Sequence, residues 1–227
     1  MTDLTRRRWI LALPILGTGV GLGAGPLLAA GEEEEGVAPA EDLMREHGVL
    51  KRVLLVYDEV RSRIAAKQDY PPAAVSKAAE IIRSFIEEYH ERLEEDHLFP
   101  RFRKQGKLVE LVGTLQAQHQ AGRRLTDRIA SLAKAGLKSD GDKQELSTSL
   151  GQFVRMYAPH EAREDTVLFP ALHEIMSKRE YEALGEEFEK KEHQLFGEDG
   201  FEKMVDRVAG IEKAFGIYDL SQFTPKL

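Results

Sequence analysis

The chain has 227 residues, 42% of them hydrophobic, 31% charged and 7% aromatic, which is enough for one medium domain with its own core and too short for a two-domain enzyme. It holds no cysteine, so disulfides, thiolate zinc sites, iron–sulfur clusters and a cysteine nucleophile are excluded, and any metal must be held by nitrogen and oxygen. The 32 Lys and Arg against 39 Asp and Glu give a net charge of −7; residues 1–31 carry three Arg and one Asp, so the rest is more acidic still and unsuited to nucleic acid.

Residues 1–31 read as an export signal or a membrane anchor. A short basic start is followed by residues 10–30, which carry no charge, and Thr5-Arg6-Arg7-Arg8-Trp9-Ile10-Leu11 resembles the twin-arginine export motif. A cleaved signal and a retained span are both open, because the apolar run is long enough to cross a bilayer and Leu28 stands where a processing site wants a small residue. Either way Arg6–Arg8 stay inside and the body is exported, to the periplasm or an equivalent extracytoplasmic space. Residues 32–40 are an acidic linker marked by Gly and Pro.

From residue 41 onward, apolar residues recur three and four apart and no stretch shows the strand period of two, so the body is all-α. The first helix covers about 41–66 with Leu43, His47, Leu50, Leu54 and Tyr57 on one side, and stops before Tyr70-Pro71-Pro72. A second runs from Pro72 to about 103 and a third from 107 to 135, with Leu108, Leu111, Leu115, His119, Gly122 and Ile129 inward. Gly136 and residues 139–142 break the chain before a fourth helix at about 143–176, carrying Leu146, Phe153, Tyr157 and His160 on one stripe and interrupted by Pro159. Short connections between long helices predict an antiparallel up-down four-helix bundle over 41–176. Residues 177–227 add further helices that pack outside the four.

The most informative feature is an internal repeat. His90-Glu91-Arg92-Leu93-Glu94-Glu95-Asp96-His97-Leu98-Phe99-Pro100 aligns without a gap on His160-Glu161-Ala162-Arg163-Glu164-Asp165-Thr166-Val167-Leu168-Phe169-Pro170. His47 precedes His90 by 43 residues and His119 precedes His160 by 41, so the whole helical hairpin is doubled and each helix offers one inward histidine. Positions four apart on a helix share a face, so His90 with Glu94, and His160 with Glu164, present an imidazole and a carboxylate together. Four imidazoles and two carboxylates in a bundle core supply two nitrogens per metal and carboxylates to bridge a pair of irons or manganeses. Without a cation, two carboxylates on an apolar stripe would be expelled or protonated. The two Leu-Phe-Pro segments read as apolar plugs closing one end.

These residues, His47, His90-x-x-x-Glu94, His119 and His160-x-x-x-Glu164 with both Leu-Phe-Pro segments, resemble the histidine–histidine–glutamate branch of the hemerythrin family over about 41–176. The resemblance implies a four-helix bundle around a non-haem di-iron centre, two iron ions with an oxo or hydroxo bridge, with Glu94 and Glu164 bridging; manganese and zinc suit the same donors. It also implies a small diatomic ligand or peroxide as the partner. Two departures bear on mechanism. Oxygen-carrying members have another histidine four residues after the third-helix one, where this chain has Arg123, so the resemblance implies redox reactivity or sensing and storage of iron, O2 or NO more than reversible oxygen carriage. Asp165 occupies the family's last-helix aspartate spacing and competes with Glu164, which the repeat favours. His97 forms Glu-x-x-His with Glu94 but aligns on Val167, so it is a lesser ligand candidate. Tyr57, Tyr89 and Tyr157 are expected to pack near the core with satisfied hydroxyls, and His173 and His193 to lie off the site.

Overall fold

The computed structural model describes residues 38–225. The expected export segment and residues 32–37 of the expected linker lie outside the described residues, while Pro39 and Ala40, read as linker, open the first helix because proline suits a first turn. Among the described residues no helix is long and apolar enough to cross a membrane.

The described chain is helical, with no strand among its residues. Helix α1, Pro39–Ala65, starts on a proline at its first turn with Glu41 and Asp42 near the positive end of its dipole, and buries Leu43, His47, Leu50, Leu54 and Tyr57 as the period requires. Helix α2 spans 72–105, also opening on a proline, and ends where Gly106 adopts φ of 65°, a left-handed cap that glycine takes without strain. Helix α3, Val109–Ala135, is closed by Gly136 at φ of 85°. Helix α4, Asp140–Arg163, opens on a reciprocal cap: the Ser139 hydroxyl accepts from the Asp142 N–H, and the Asp142 carboxylate accepts from the Ser139 N–H. The segment that reads as a breaker in the sequence is thus a start signal. Pro159 does not end α4. In the bundle α1 packs on α4, α4 on α3, α3 on α2 and α2 on α1.

Helices α2 and α4 both depart from simple α-helix. Within α2, Ile82–His90 and Glu94–Leu98 are π-helical, and α4 passes into a π turn at Glu164–Leu168 and a 3-10 turn at Pro170–Glu174, short of the predicted end at 176. The repeat explains the matched pair. Pro100 and Pro170 have no N–H, and their rings would press on the carbonyl four residues back. A wider turn relieves this: Phe99 N–H donates to the Glu94 carbonyl, and Phe169 N–H to that of Glu164 at 2.9 Å. The widened turns begin at the two glutamates of the repeat.

The remaining helices are α5, Lys178–Phe196, and α6, Gly200–Phe215. α6 packs on α1 and α2, and α5 on α1. Arg52 of α1 grips Glu212 of α6 through two hydrogen bonds of 2.9 and 2.5 Å, and Arg63 donates to the Phe215 carbonyl at 2.6 Å. Phe196 meets Phe85 and Tyr89 edge-on at 5.7 and 5.4 Å between ring centres. Phe188 is buried, whereas Leu195 is 49% exposed, so the apolar residues of this region do not all turn inward.

Candidate metal centre

Each of the four bundle helices delivers one histidine to the middle of the core. His47 and His90 lie 4.6 Å apart between ring centres, and His119 and His160 lie 5.0 Å apart. All four are buried, as are Glu94 and Glu164, whose exposure is nil. Ligand atoms of His47, His90 and Glu164 fall within 4.8 Å of one another, and so do those of His119, His160 and Glu164. Glu164 is common to both groups. Its Oε2 is 3.4 Å from His47 Nε2, and its Oε1 is 3.1 Å from His160 Nε2. Glu94 Oε2 stands 3.3 Å from His119 Nε2 and 3.9 Å from His90 Nε2. Each carboxylate therefore reaches a histidine of both groups.

The outward nitrogens are all spoken for. His47 Nδ1 donates to Asp165 at 2.7 Å, His90 Nδ1 to Glu46 at 2.7 Å, His119 Nδ1 to Glu95 at 3.1 Å and His160 Nδ1 to Gln118 at 2.9 Å. Fixing Nδ1 as the donor leaves the Nε2 lone pair for the centre, which is how metal-binding imidazoles are oriented. Lys51 holds Asp165 at 3.1 Å, and Arg123 holds Glu95 at 2.9 Å and Glu91 at 2.8 Å. The phenyl rings of the two plugs lie over the same imidazoles: Phe169 stacks on His47 at 5.5 Å and Phe99 on His119 at 5.4 Å.

The electrostatics show what this core lacks. Both oxygens of Glu94 and of Glu164, with Nε2 of His90 and of His119, are buried without an aligned hydrogen bond, although several lie within ion-pair distance of one another. Burial and the Glu164 charge push the Glu94 carboxyl well above the usual range. Burial also pushes Glu164 up, but His160 and His47 outweigh it and hold this carboxyl low. Burial alone would lower His47, yet Asp165 and Glu164 raise it to about 10. His119, opposed by burial, is likewise raised by Glu91, Glu94 and Glu95. His90 goes the other way, lowered by burial and the positive charge of His47. Burial and Asp42 push Glu46 well up, and a cation at His90 would act against that. Without a metal, the charged forms of His47 and His119 are thus favoured beside an ionised Glu164, while Glu94 is driven toward its neutral form. Buried imidazole nitrogens and carboxylate oxygens without an aligned hydrogen bond, facing one another in the core, fit a cation of the iron, manganese or zinc type.

Other residues singled out by the sequence fall elsewhere. Asp165 sits behind His47, on Nδ1, and not between the two histidine pairs. His97 faces α5, 3.5 Å from Glu187 and with its ring 5.8 Å from Phe188. Exposed His173 lies with its ring tilted against Tyr181, 4.2 Å between ring centres, and His193 is exposed. Arg123 fills the family's second third-helix histidine position with a guanidinium tied to Glu91 and Glu95. All three core tyrosines are buried, but only one matches the expected satisfied hydroxyl in full: Tyr157 donates to Glu91 at 2.6 Å, whereas the Tyr57 hydroxyl has no aligned partner. Tyr157 fits because Gly122 leaves room; a Cβ there would lie 1.9 Å from its hydroxyl oxygen. The sequence reading missed Glu46, Gln118, Glu95, Lys51 and Glu91. The repeat could have found the anchors, since His47 and His119 are 72 residues apart, as are Glu46 and Gln118, while Glu95 and Asp165 keep the 70-residue spacing of His90 and His160.

An all-α bundle whose core converges imidazoles and carboxylates on one point is a cation-binding bundle. The chain matches the hemerythrin HHE cation-binding domain over residues 38–143 and again over 112–215, and it belongs to that family. The two starts are 74 residues apart, close to the spacing of the internal repeat. The protein is thus a hemerythrin-like, metal-binding helical bundle, and iron is the metal such domains commonly hold. It is 50% identical over 195 residues to Rv1995 and MT2051 of Mycobacterium tuberculosis and to Mb2018 of Mycobacterium bovis, covering 86% of this chain and 76% of each relative. Those three are described as uncharacterized proteins. No solved structure gives a significant match.

Proposed function

We propose that the core holds two iron ions, one at His47 and His90 and one at His119 and His160, bridged by Glu94 and Glu164, and that this centre carries out redox chemistry with O2, peroxide or NO outside the cytoplasm. The observation that carries the reading is the placement of the two carboxylates. Each lies within reach of a histidine from both groups, and all four of their oxygens lack an aligned hydrogen bond. One buried carboxylate between histidines would fit a single ion; two, arranged this way, fit a pair.

Bound iron would supply electron exchange and coordination positions open to a small molecule. The protein's own contribution is orientation and exclusion. Asp165, Glu46, Glu95 and Gln118 fix the four rings, while Phe99 and Phe169 cover His119 and His47 and keep bulk water away. Their surroundings favour the charged forms of His47 and His119, so each would give up a proton on becoming a ligand through Nε2. Arg6-Arg7 and the uncharged residues 10–30 support export, and a twin-arginine route carries folded proteins, so metal taken up in the cytoplasm could cross with the chain.

The test is metal content per chain after cytoplasmic expression, with optical spectra recorded before and after dithionite and then NO. Two irons, a near-ultraviolet band that bleaches on reduction and a nitrosyl adduct are expected. Zinc, or less than one metal per chain, would overturn the reading. Replacing Arg6-Arg7 with two lysines should retain the protein in the cytoplasm; unchanged export would overturn the twin-arginine route.

A further inference from the structure

The pseudo-twofold relation between the hairpins can be followed outward from the histidines, and it holds at every step but one. His47 and His119 each donate through Nδ1 to a carboxylate, Asp165 and Glu95. Each of those carboxylates is in turn held by a cation four residues after the histidine, Lys51 at 3.1 Å and Arg123 at 2.9 Å. The symmetry fails at the second histidine of each pair. His90 donates to Glu46, a carboxyl group, at 2.7 Å; His160 donates to Gln118, a neutral amide, at 2.9 Å. Glu46 and Gln118 occupy equivalent places, 72 residues apart.

We infer that Glu46 is a positioning residue that makes the two halves of the centre unequal, so that the His47–His90 half takes its cation more tightly and first, and the His119–His160 half second. The inference rests on the two-ion reading above. With a cation at His90 favouring the ionised form of Glu46, an imidazole whose Nδ1 proton is drawn toward that carboxylate has more electron density at Nε2 and is a better donor than one hydrogen-bonded to an amide. Loss of such an outer partner costs about 10- to 100-fold in metal affinity. With Asp165 matched by Glu95, and Lys51 by Arg123, the exchange of Glu46 for Gln118 is the remaining difference among the groups on Nδ1. Glu46 is buried beside the centre and needs no movement to act.

The probe is Co(II), added to chelator-treated full-length protein and followed by calorimetry and its visible absorption. Wild type is expected to take two ions in two classes at least about tenfold apart. Glu46→Gln should weaken the tighter class by about tenfold and bring the two together, while Gln118→Glu should tighten the weaker class by a similar factor. At one equivalent, His160→Ala should keep the tight class and His90→Ala should lose it. Circular dichroism confirms the fold of each variant, and Gln118→Glu carries the test should Glu46→Gln not fold. Two ions of equal affinity in wild type, or a gap unmoved by both exchanges, would overturn the inference while leaving the two-ion reading intact. Fewer than two ions bound by wild type would overturn that reading and the inference with it.

Discussion

Glu94→Gln should act in opposite directions on the empty and the loaded protein. Glu94 is fully buried, and in the metal-free core burial and the neighbouring Glu164 raise its carboxyl from 4.5 to about 8. A carboxyl whose folded value lies above its unfolded one contributes its full stability below 4.5, and that contribution drains away as pH rises through 8. Each pH unit between the two values is worth about 1.4 kcal/mol. At pH 7 the unfolded chain is ionised here and the folded one is not, which costs the empty protein about 3 kcal/mol. Glutamine has nearly the shape of the protonated acid and no charge to lose. Chelator-treated Glu94→Gln should therefore be more stable than wild type by up to about 3 kcal/mol at pH 7 and nearly equal to it at pH 4.5. The measurement is urea denaturation of both proteins across this range. The same substitution should release at least one metal from the loaded protein, read by metal analysis after desalting. An empty Glu94→Gln that is no more stable than wild type at pH 7 would refute the reasoning, because the buried acid would then carry no burden for a cation to lift.

Other outcomes follow from the same geometry. Glu164→Ala should lose at least one metal, whereas Asp165→Ala, which removes only the anchor behind His47, should keep two with affinity lowered by about 10- to 100-fold; equal loss from both would return Asp165 to the bridging role. His97→Ala should leave metal stoichiometry unchanged, since its ring faces Glu187 and Phe188, and a fall from two metals to one would make it a ligand. Gly122→Val should overpack the wall against Tyr157, with a cost of about 1–3 kcal/mol read as a lower melting temperature; an unchanged melting temperature would show that Tyr157 can move aside freely.

Much of the bundle was legible because helix period and burial report the same thing. Leu43, His47, Leu50, Leu54 and Tyr57 on α1, and Leu146, Phe153, Tyr157 and His160 on α4, are buried where a 3.6-residue repeat places them. The six central side chains could be picked out because a doubled hairpin repeats its polar residues on an apolar stripe, which chance spacing does not do. The π turns were hidden, since their cause is a proline six residues after each glutamate and nothing in hydrophobic spacing marks them. The anchors were hidden for another reason. Glu46 and Glu95 sit beside ligand-type residues in a chain rich in acids, and composition cannot tell an acid turned toward an imidazole from one turned to water. Arg123 is the sharper case. The sequence shows a missing histidine, but only the structure shows its place filled by a cation that holds the His119 anchor.

The crossing of the two plugs bears on how the molecule can be assembled. Phe99, on the first hairpin, covers a histidine of the second, and Phe169, on the second, covers a histidine of the first. Glu94 and Glu164 cross in the same way, each reaching an imidazole of the opposite hairpin. Neither hairpin is a finished half-site awaiting a neighbour; each owns parts that reach into the other. A chain cut between α2 and α3 would leave both fragments unable to enclose an ion, and tight metal retention becomes a report that all four helices have docked.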